Sequence, residues 1–258
     1  MKFSLHVRGG RPATQEFADR LAEEIERAGG TVLGDADAVP DMILAVGGDG
    51  TMLSAVQNAV AFDVPLLGFN LGTLGFLTEA EPSDLSTVVK RLVTGEFEVQ
   101  SRLTVSAAIG GVSAVGVNDV VVEKVDSTRL VSLTVVIDGT EFATYRADGL
   151  IVATPTGSTA YSFSAGGPVV DPRVDALVLT PVASHSLFDR PLVLPADAKI
   201  GVTACTDRLV RVNVDKTDLG QIAEGETVDI SRGHRPARFV TFGAMTFPGL
   251  VREKFGLE

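Results

Sequence analysis

Five apolar residues, MILAV at 42–46, run straight into Gly47-Gly48-Asp49-Gly50-Thr51 and then into TMLSAVQNAV (51–60), whose apolar residues recur at helical spacing. An unbroken apolar run of that length is a strand buried on both faces, and such strands belong to parallel sheets covered by helices. A strand that ends in two glycines and turns at once into a helix is half of a βαβ unit. The flanking segments agree. KFSLHV (2–7) predicts a strand, and ATQEFADRLAEEIERAG (13–29) predicts a helix with Phe17, Leu21, Ile25 and Ala28 on one side. VPLLGFN (64–70) predicts another strand and PSDLSTVVKRLVTG (82–95) another helix. Residues 1–97 are therefore expected to form an α/β domain with a parallel sheet and a GGDGT phosphate loop.

After Gly95 the texture changes to alternating β-branched runs broken by glycine and aspartate: RLTVSAAIGG, GVNDVVVEK, LVSLTVVIDGTEFATYRADGLIVATP, ALVLTPV, KIGVTACTDRLVRVNVD and RPARFVTFG. Short alternating strands with frequent turns predict an all-β, sandwich-like domain over 98–258. Asp138-Gly139, between LTVVI and EFATY, is a two-residue hairpin signal. FPGLVREKFGLE (247–258) predicts a short helix that packs back on the first domain.

Asp and Glu number 33 against 22 Lys and Arg, a formal net charge of −11, so the chain repels polyanions and a nucleic-acid groove is not expected. A small phosphorylated ligand remains compatible, because backbone amides, a few local cations and a metal ion outweigh a distant negative surface. One cysteine, Cys205, and three histidines, His6, His185 and His234, offer neither an internal disulfide nor a zinc cluster. Cys205 lies in an alternating run and is expected to be a core thiol. No leader peptide or continuous apolar span is evident, so neither a membrane nor an extracellular setting is expected, and a cytoplasmic one is.

The glycines of the 47–51 turn let the backbone bend sharply and approach an anion, while the first amides of the following helix favour phosphate. Asp49 is the odd member, since a carboxylate in a phosphate loop repels the ligand unless it binds a metal or takes a proton. A cap on the helix 51–60 explains it equally well. No Gly-Lys-Ser/Thr triplet follows, so P-loop chemistry is excluded, and the G-x-G-x-x-G dinucleotide fingerprint is missing.

GFNLGTLGFLTE (68–79), Asn118-Asp119, YRADGLIVATPTGSTAYSFSAGGPVV (145–170) and TPVASHSLFDRP (180–191), taken with GGDGT, resemble the NAD kinase family over roughly residues 43–195. The resemblance implies transfer of a phosphoryl group from ATP, or polyphosphate, to the 2′-hydroxyl of the adenosine ribose of NAD, with Mg²⁺ or another divalent cation and no assigned protein ligands for the metal. It implies that Asp49 sits at the reacting hydroxyl as proton acceptor, with Gly47, Gly48, Gly50 and Thr51 beside the transferring phosphate. Asn118 and Asp119 would hold ribose hydroxyls, though the family usually carries glutamate at the second place. Phe76 would pack on a base, and Thr159, Ala160, Tyr161 and Ser164 would line the adenosine pocket. Asp148 and Ala183 would approach the nicotinamide end from a neighbouring subunit of a homodimer or homotetramer, and Arg146 would bring positive charge. The family's ribose-contacting Asp-Gly-Gln segment is replaced here by Asp215-Lys216-Thr217-Asp218, which leaves those contacts unassigned.

Without the resemblance, Thr154 to Tyr161 is a hydroxyl-rich rim suited to polar ligands, Tyr161 is a core or rim aromatic, and His185 is structural. A lipid or sugar kinase shares the GGDGT turn, but a lipid kinase needs a membrane-facing apolar or basic stretch that the sequence does not show. A non-enzymatic nucleotide sensor would keep the same pocket.

Overall fold

The computed structural model describes residues 1–8, 12–34, 39–72, 75–126, 128–243 and 245–257. Thr73 and Leu74, within the GFNLGTLGF stretch, lie outside the described residues. The chain divides into two compact units, one of Met1–Ser101 with Ala237–Glu258 and one of Arg102–Pro236.

The first unit begins β1 (Lys2–Val7), α1 (Pro12–Arg27), β2 (Thr31–Val32), β3 (Met42–Val46), α2 (Asp49–Phe62), β4 (Leu66–Phe69), α3 (Leu85–Thr94) and β5 (Glu98–Arg102). β2, β1, β3 and β4 pair side by side in parallel, as glycine-ended apolar runs alternating with helices require. All five residues of β3 are buried, and α1 turns Phe17, Leu21 and Ile25 into the same core, where Phe17 and Phe69 rings meet at 5.5 Å. Each such side chain taken from water stabilises the unit by about 1.5–3 kcal/mol before entropy is counted.

The second unit holds β6 (Val105–Ile109), β7 (Val112–Gly116), β8 (Asp119–Lys124), β9 (Val131–Ile137), β10 (Thr140–Ala147), β11 (Gly149–Ala153), α4 (Tyr161–Ser164), β12 (Ala176–Val182), β13 (Leu192–Pro195), β14 (Ile200–Ala204), β15 (Val210–Val214), β16 (Thr217–Ile222) and β17 (Thr227–Arg232). They form two six-stranded antiparallel sheets, ordered β10-β9-β14-β17-β6-β7 and β13-β12-β11-β8-β15-β16. Leu133 and Val202 of the first sheet share one core with Val122, Val152 and Val212 of the second, which makes the unit a sandwich. The predicted hairpin joins β9 to β10, with Asp138 and Gly139 both at positive φ, 49° and 79°, as a tight two-residue turn demands.

The chain then returns to the first unit as β18 (Ala237–Thr241) and α5 (Phe247–Phe255), and β18 inserts between β4 and β5 in the order β2-β1-β3-β4-β18-β5. The sequence expectation keeps RPARFVTFG in the second domain and is corrected here. Its strand pattern is right, but four of the five residues of β18 are buried, the mark of a strand covered on both faces, and its register with β4 is parallel. Cys205 also differs from expectation: it lies one residue beyond β14 and is exposed, its Sγ 3.2 Å from Thr134 Oγ1. The alternating pattern extends past the end of the strand that it predicts.

Candidate active site

In the first unit the site is built where β3 ends. Gly47 has φ 152°, and a Cβ there would stand 2.2 Å from Thr51 Oγ1, so only glycine fits. α2 starts at Asp49, two residues before the predicted start, and Gly48 is its cap residue with no side-chain cap bond. The cap explanation of Asp49 therefore fails. The Thr51 amide donates to Gly48 O at 2.8 Å, and no side chain of Gly48 caps the positive end of the helix dipole at this turn.

Asp49 instead reaches across to the 68–79 segment. Its Oδ2 accepts the Phe76 amide at 2.8 Å and its Oδ1 the Leu77 amide at 3.0 Å. Gly75 passes so close beneath that a Cβ would lie 2.0 Å from Asp49 Oδ1. The rest of the segment is held by its own polar groups. Asn70 bonds Gly72 through both ends of its amide, and Glu79 Oε1 accepts Thr241 Oγ1 and the Phe242 amide, each at 2.8 Å. Phe76 presents its ring to α5, with the Phe255 ring centroid at 6.2 Å and Lys254 Nζ 5.6 Å from the Phe76 centroid. Asp49, Gly47, Gly48, Gly50, Thr51 and Phe76 thus gather at one corner of the first unit. A carboxylate offers roughly four acceptor positions. The two amides leave Asp49 able to accept a proton, at the mouth of a helix suited to phosphate.

In the second unit Asn118 immediately precedes β8 and Asp119 opens it. Their amides and that of Val117 converge on the carboxylate of Asp215, at 2.9 Å for Val117 on Oδ2 and 2.9 and 3.1 Å for Asn118 and Asp119 on Oδ1. Thr154 closes the other side: its Oγ1 donates to Val117 O and its amide to Asn118 O. Gly157 approaches the same segment, where a Cβ would lie 2.1 Å from Asn118 O. Asp119 is buried, and burial first and the Asp215 carboxylate second push it up to about 7.

The remaining predicted residues lie around the ends of β10, β11 and β12. The Asp148 amide donates to Val182 O, His185 N–H donates to Arg146 O, and Ser186 Oγ accepts the Arg146 amide, which brings Arg146 and Asp148 beside the turn carrying Ala183. Ala183 holds a left-handed φ of 46°, uncommon for a residue with a Cβ. Asp148 is ion-paired with Lys124. Thr159 ends a turn of 3-10 helix, Thr156–Thr159, and Ala160 leads into α4, which carries Tyr161 and Ser164. Tyr161 is 40% exposed, so the core alternative is set aside. Burial raises its hydroxyl, and Glu123, Asp148 and Asp119 raise it further, which places Tyr161 within the field of three carboxylates.

Sequence reasoning missed three contributors. Asp215 was left without a role because its partners lie 96 to 98 positions away, and no local pattern reports a contact of that span. Phe255 and Lys254 were assigned only to a docking helix. Their apolar and basic character beside Phe76 was the available signal.

Residues 12–97 match the ATP-NAD kinase N-terminal domain family and residues 117–242 the ATP-NAD kinase C-terminal domain family. The chain is 34% identical to an NAD kinase of Symbiobacterium thermophilum over 98% of both proteins. It is 41% identical to an NAD kinase of Moorella thermoacetica, over 82% of this chain and 70% of that protein. Among solved structures it is similar to yeast NADH kinase complexed with NADH, with a TM-score of 0.88 and 25% identity over 100% of this chain and 88% of that one. It is also similar to an NAD kinase from Archaeoglobus fulgidus in complex with ATP, with a TM-score of 0.77 and 29% identity over 93% of each chain.

Proposed function

This chain belongs to the NAD kinase family, and from that premise we infer that it transfers the γ-phosphoryl group of ATP to the 2′-hydroxyl of the adenosine ribose of NAD, giving NADP and ADP. The observation that carries the reading is the position of Asp49. Its carboxylate is pinned by the Phe76 and Leu77 amides beside a helix start that has no side-chain cap. The 2′-oxygen attacks the γ-phosphorus, the bond to the bridging oxygen of ADP breaks, and the hydroxyl proton passes to Asp49. Little covalent chemistry is asked of the protein; positioning and charge stabilisation do most of the work.

In this reading Gly47, Gly48, Gly50 and Thr51 receive the donor phosphates. Among the described residues no three His, Cys, Asp or Glu side chains converge as a metal site. A Mg²⁺ ion on the triphosphate would supply positive charge beside Gly48, Gly50 and Thr51. Asn118 and Asp119 bind ribose hydroxyls of NAD, and Phe76 packs on a base. Thr159, Ala160, Tyr161 and Ser164 line the adenosine pocket. Arg146, Asp148 and Ala183 serve the nicotinamide end, the last two across the interface of a homodimer or homotetramer. The setting is the cytoplasm. Among the described residues no helix is long and apolar enough to cross a membrane.

The test incubates purified protein with NAD and MgATP and reads NADP with an NADP-specific dehydrogenase. Steady NADP formation that depends on both substrates is expected. No NADP with ATP, another triphosphate or polyphosphate would overturn the reading.

A further inference from the structure

Residues 117–119 have every backbone polar group engaged. Three amides go to the Asp215 carboxylate, the Val117 and Asn118 carbonyls to Thr154, and the Asp119 carbonyl to the Asp215 amide. Asp215 does this from the turn between β15 and β16 with a left-handed φ of 50°, a conformation that few residues other than glycine adopt. Gly116 lies under the carboxylate, where a Cβ would come within 2.7 Å of Asp215 Oδ1. The arrangement holds the backbone of the segment from both sides, and Asn118 and Asp119 carry its polar side chains.

We infer that Asp215 is the positioning residue for dinucleotide recognition: it holds Asn118 and Asp119 in place, and its negative charge makes NAD binding depend on pH through the Asp119 carboxyl. The inference rests on the proposed role of Asn118 and Asp119 as ribose contacts. Asp215 and Asp119 are two carboxyl groups in one partly dry place, and both cannot ionise freely. Burial raises Asp215, while its three amide bonds pull it back. Asp119 is raised by burial and by Asp215. Asp215, with three donors, is therefore the better anion of the two, and Asp119 is the carboxyl more readily left protonated. Among the described residues Tyr161 of α4 lies in the field of Asp119, while Glu123, Lys124 and the Asp148 that pairs with it stand at the far end of β8.

Ribose hydroxyls donate best to an ionised carboxylate, so NAD should bind more tightly as pH rises through about 7, and bound NAD should expel the proton from Asp119. Asp215→Asn keeps the turn, since asparagine tolerates the left-handed conformation well. It removes the charge and replaces one acceptor oxygen with an NH₂ group that cannot receive an amide. Two consequences follow. The Val117–Asp119 amides lose protection, and Asp119 ionises at lower pH.

The experiment has two arms. Hydrogen exchange on the protein without ligand compares wild type with Asp215→Asn; exchange at Val117–Asp119 should quicken about tenfold or more, a loss of roughly one acceptor's worth of protection. Unchanged protection would overturn the positioning role whatever the protein binds. Calorimetric titration with NAD from pH 6 to 8 should give about tenfold tighter binding for wild type across that range. Asp215→Asn should bind more weakly with its midpoint roughly one pH unit lower, and Asp119→Asn should show no slope. A wild-type midpoint in Asp215→Asn, or a slope that survives in Asp119→Asn, would overturn the charge role. Asp119→Asn leaves the Asp215 clamp untouched, so it decides the pH arm even where Asp215→Asn folds poorly. If wild type binds no NAD, the dinucleotide reading itself fails, a result told apart because the exchange arm involves no NAD.

Discussion

Two carboxylates in this molecule are built the same way, and the proposed function puts them to different use. Asp49 accepts two backbone amides from a segment beginning at Gly75, and Asp215 accepts three from a segment beginning after Gly116. In both, a glycine passes under the carboxylate where a Cβ would collide with it. In the proposed mechanism the amides at Asp49 hold the carboxylate for chemistry, so the segment would serve the acid. At Asp215 the acid would serve the segment, because the side chains proposed to meet the dinucleotide are those of Asn118 and Asp119. A shared hydrogen-bond pattern therefore does not identify the working residue. The position of the acid relative to a helix start or a ligand-facing side chain does.

The largest effect that would break this comparison is expected at Asp49. Asp49→Asn should lower kcat by about 10² to 10⁴, the usual loss of a proton acceptor, with Michaelis constants for NAD and ATP within a few-fold of wild type. Asparagine cannot accept both the Phe76 and Leu77 amides. A variant with near-normal kcat, a raised Michaelis constant for ATP and a lowered melting temperature would therefore make Asp49 an anchor like Asp215.

The two glycines sharpen the contrast at smaller cost. Alanine at either position forces a carboxylate aside, an overpacking penalty of about 1–3 kcal/mol. Gly75→Ala should cut kcat by roughly tenfold or more while sparing NAD binding. Gly116→Ala should raise the Michaelis constant for NAD by a similar factor and leave that for ATP unchanged. Steady-state kinetics with each substrate varied in turn would read both, and equal loss on both axes for either variant would show mere damage to the fold.

A further effect concerns stability rather than turnover. Asp119 is carried up to about 7 in the folded chain, so between its unfolded value and pH 7 the folded state binds more protons than the unfolded one. Stability contributed by the neutral acid is fully present below about pH 4 and is lost as pH rises through 7. Denaturant unfolding of wild type at pH 5 and pH 8 should differ by on the order of 2 kcal/mol, with the alkaline side weaker. Asp119→Asn should remove most of that difference. If it keeps the full slope, the strained acid lies elsewhere.

Much of the first unit was legible because its signals are local. MILAV followed by two glycines announces a buried strand and a helix start, and the Asp138-Gly139 hairpin needs only two residues with positive φ. Asp49 was visible for the same reason, as a carboxylate where a phosphate loop should have none. Its true partners were not, since hydrogen bonds from Phe76 and Leu77 span 27 and 28 positions. The placement of β18 was hidden similarly: alternation tells a strand from a helix but not which sheet receives it. Asp215 was least legible, being an ordinary turn aspartate until folding sets it under three amides.

The route of the chain through the first sheet also has a consequence for its birth on the ribosome. Among the described residues β5 has β18 as its one neighbour in the sheet order, and β18 follows the whole of Arg102–Pro236. At about 5–20 residues per second, that stretch keeps the nascent first unit waiting for on the order of ten seconds. Meanwhile the β4 edge lies open and β5 is without its neighbour, the state in which a sheet is most prone to join another chain. Vectorial synthesis thus completes the sandwich first and the phosphate-loop unit last, so a nascent chain lacking β18 carries a GGDGT turn on an unfinished sheet.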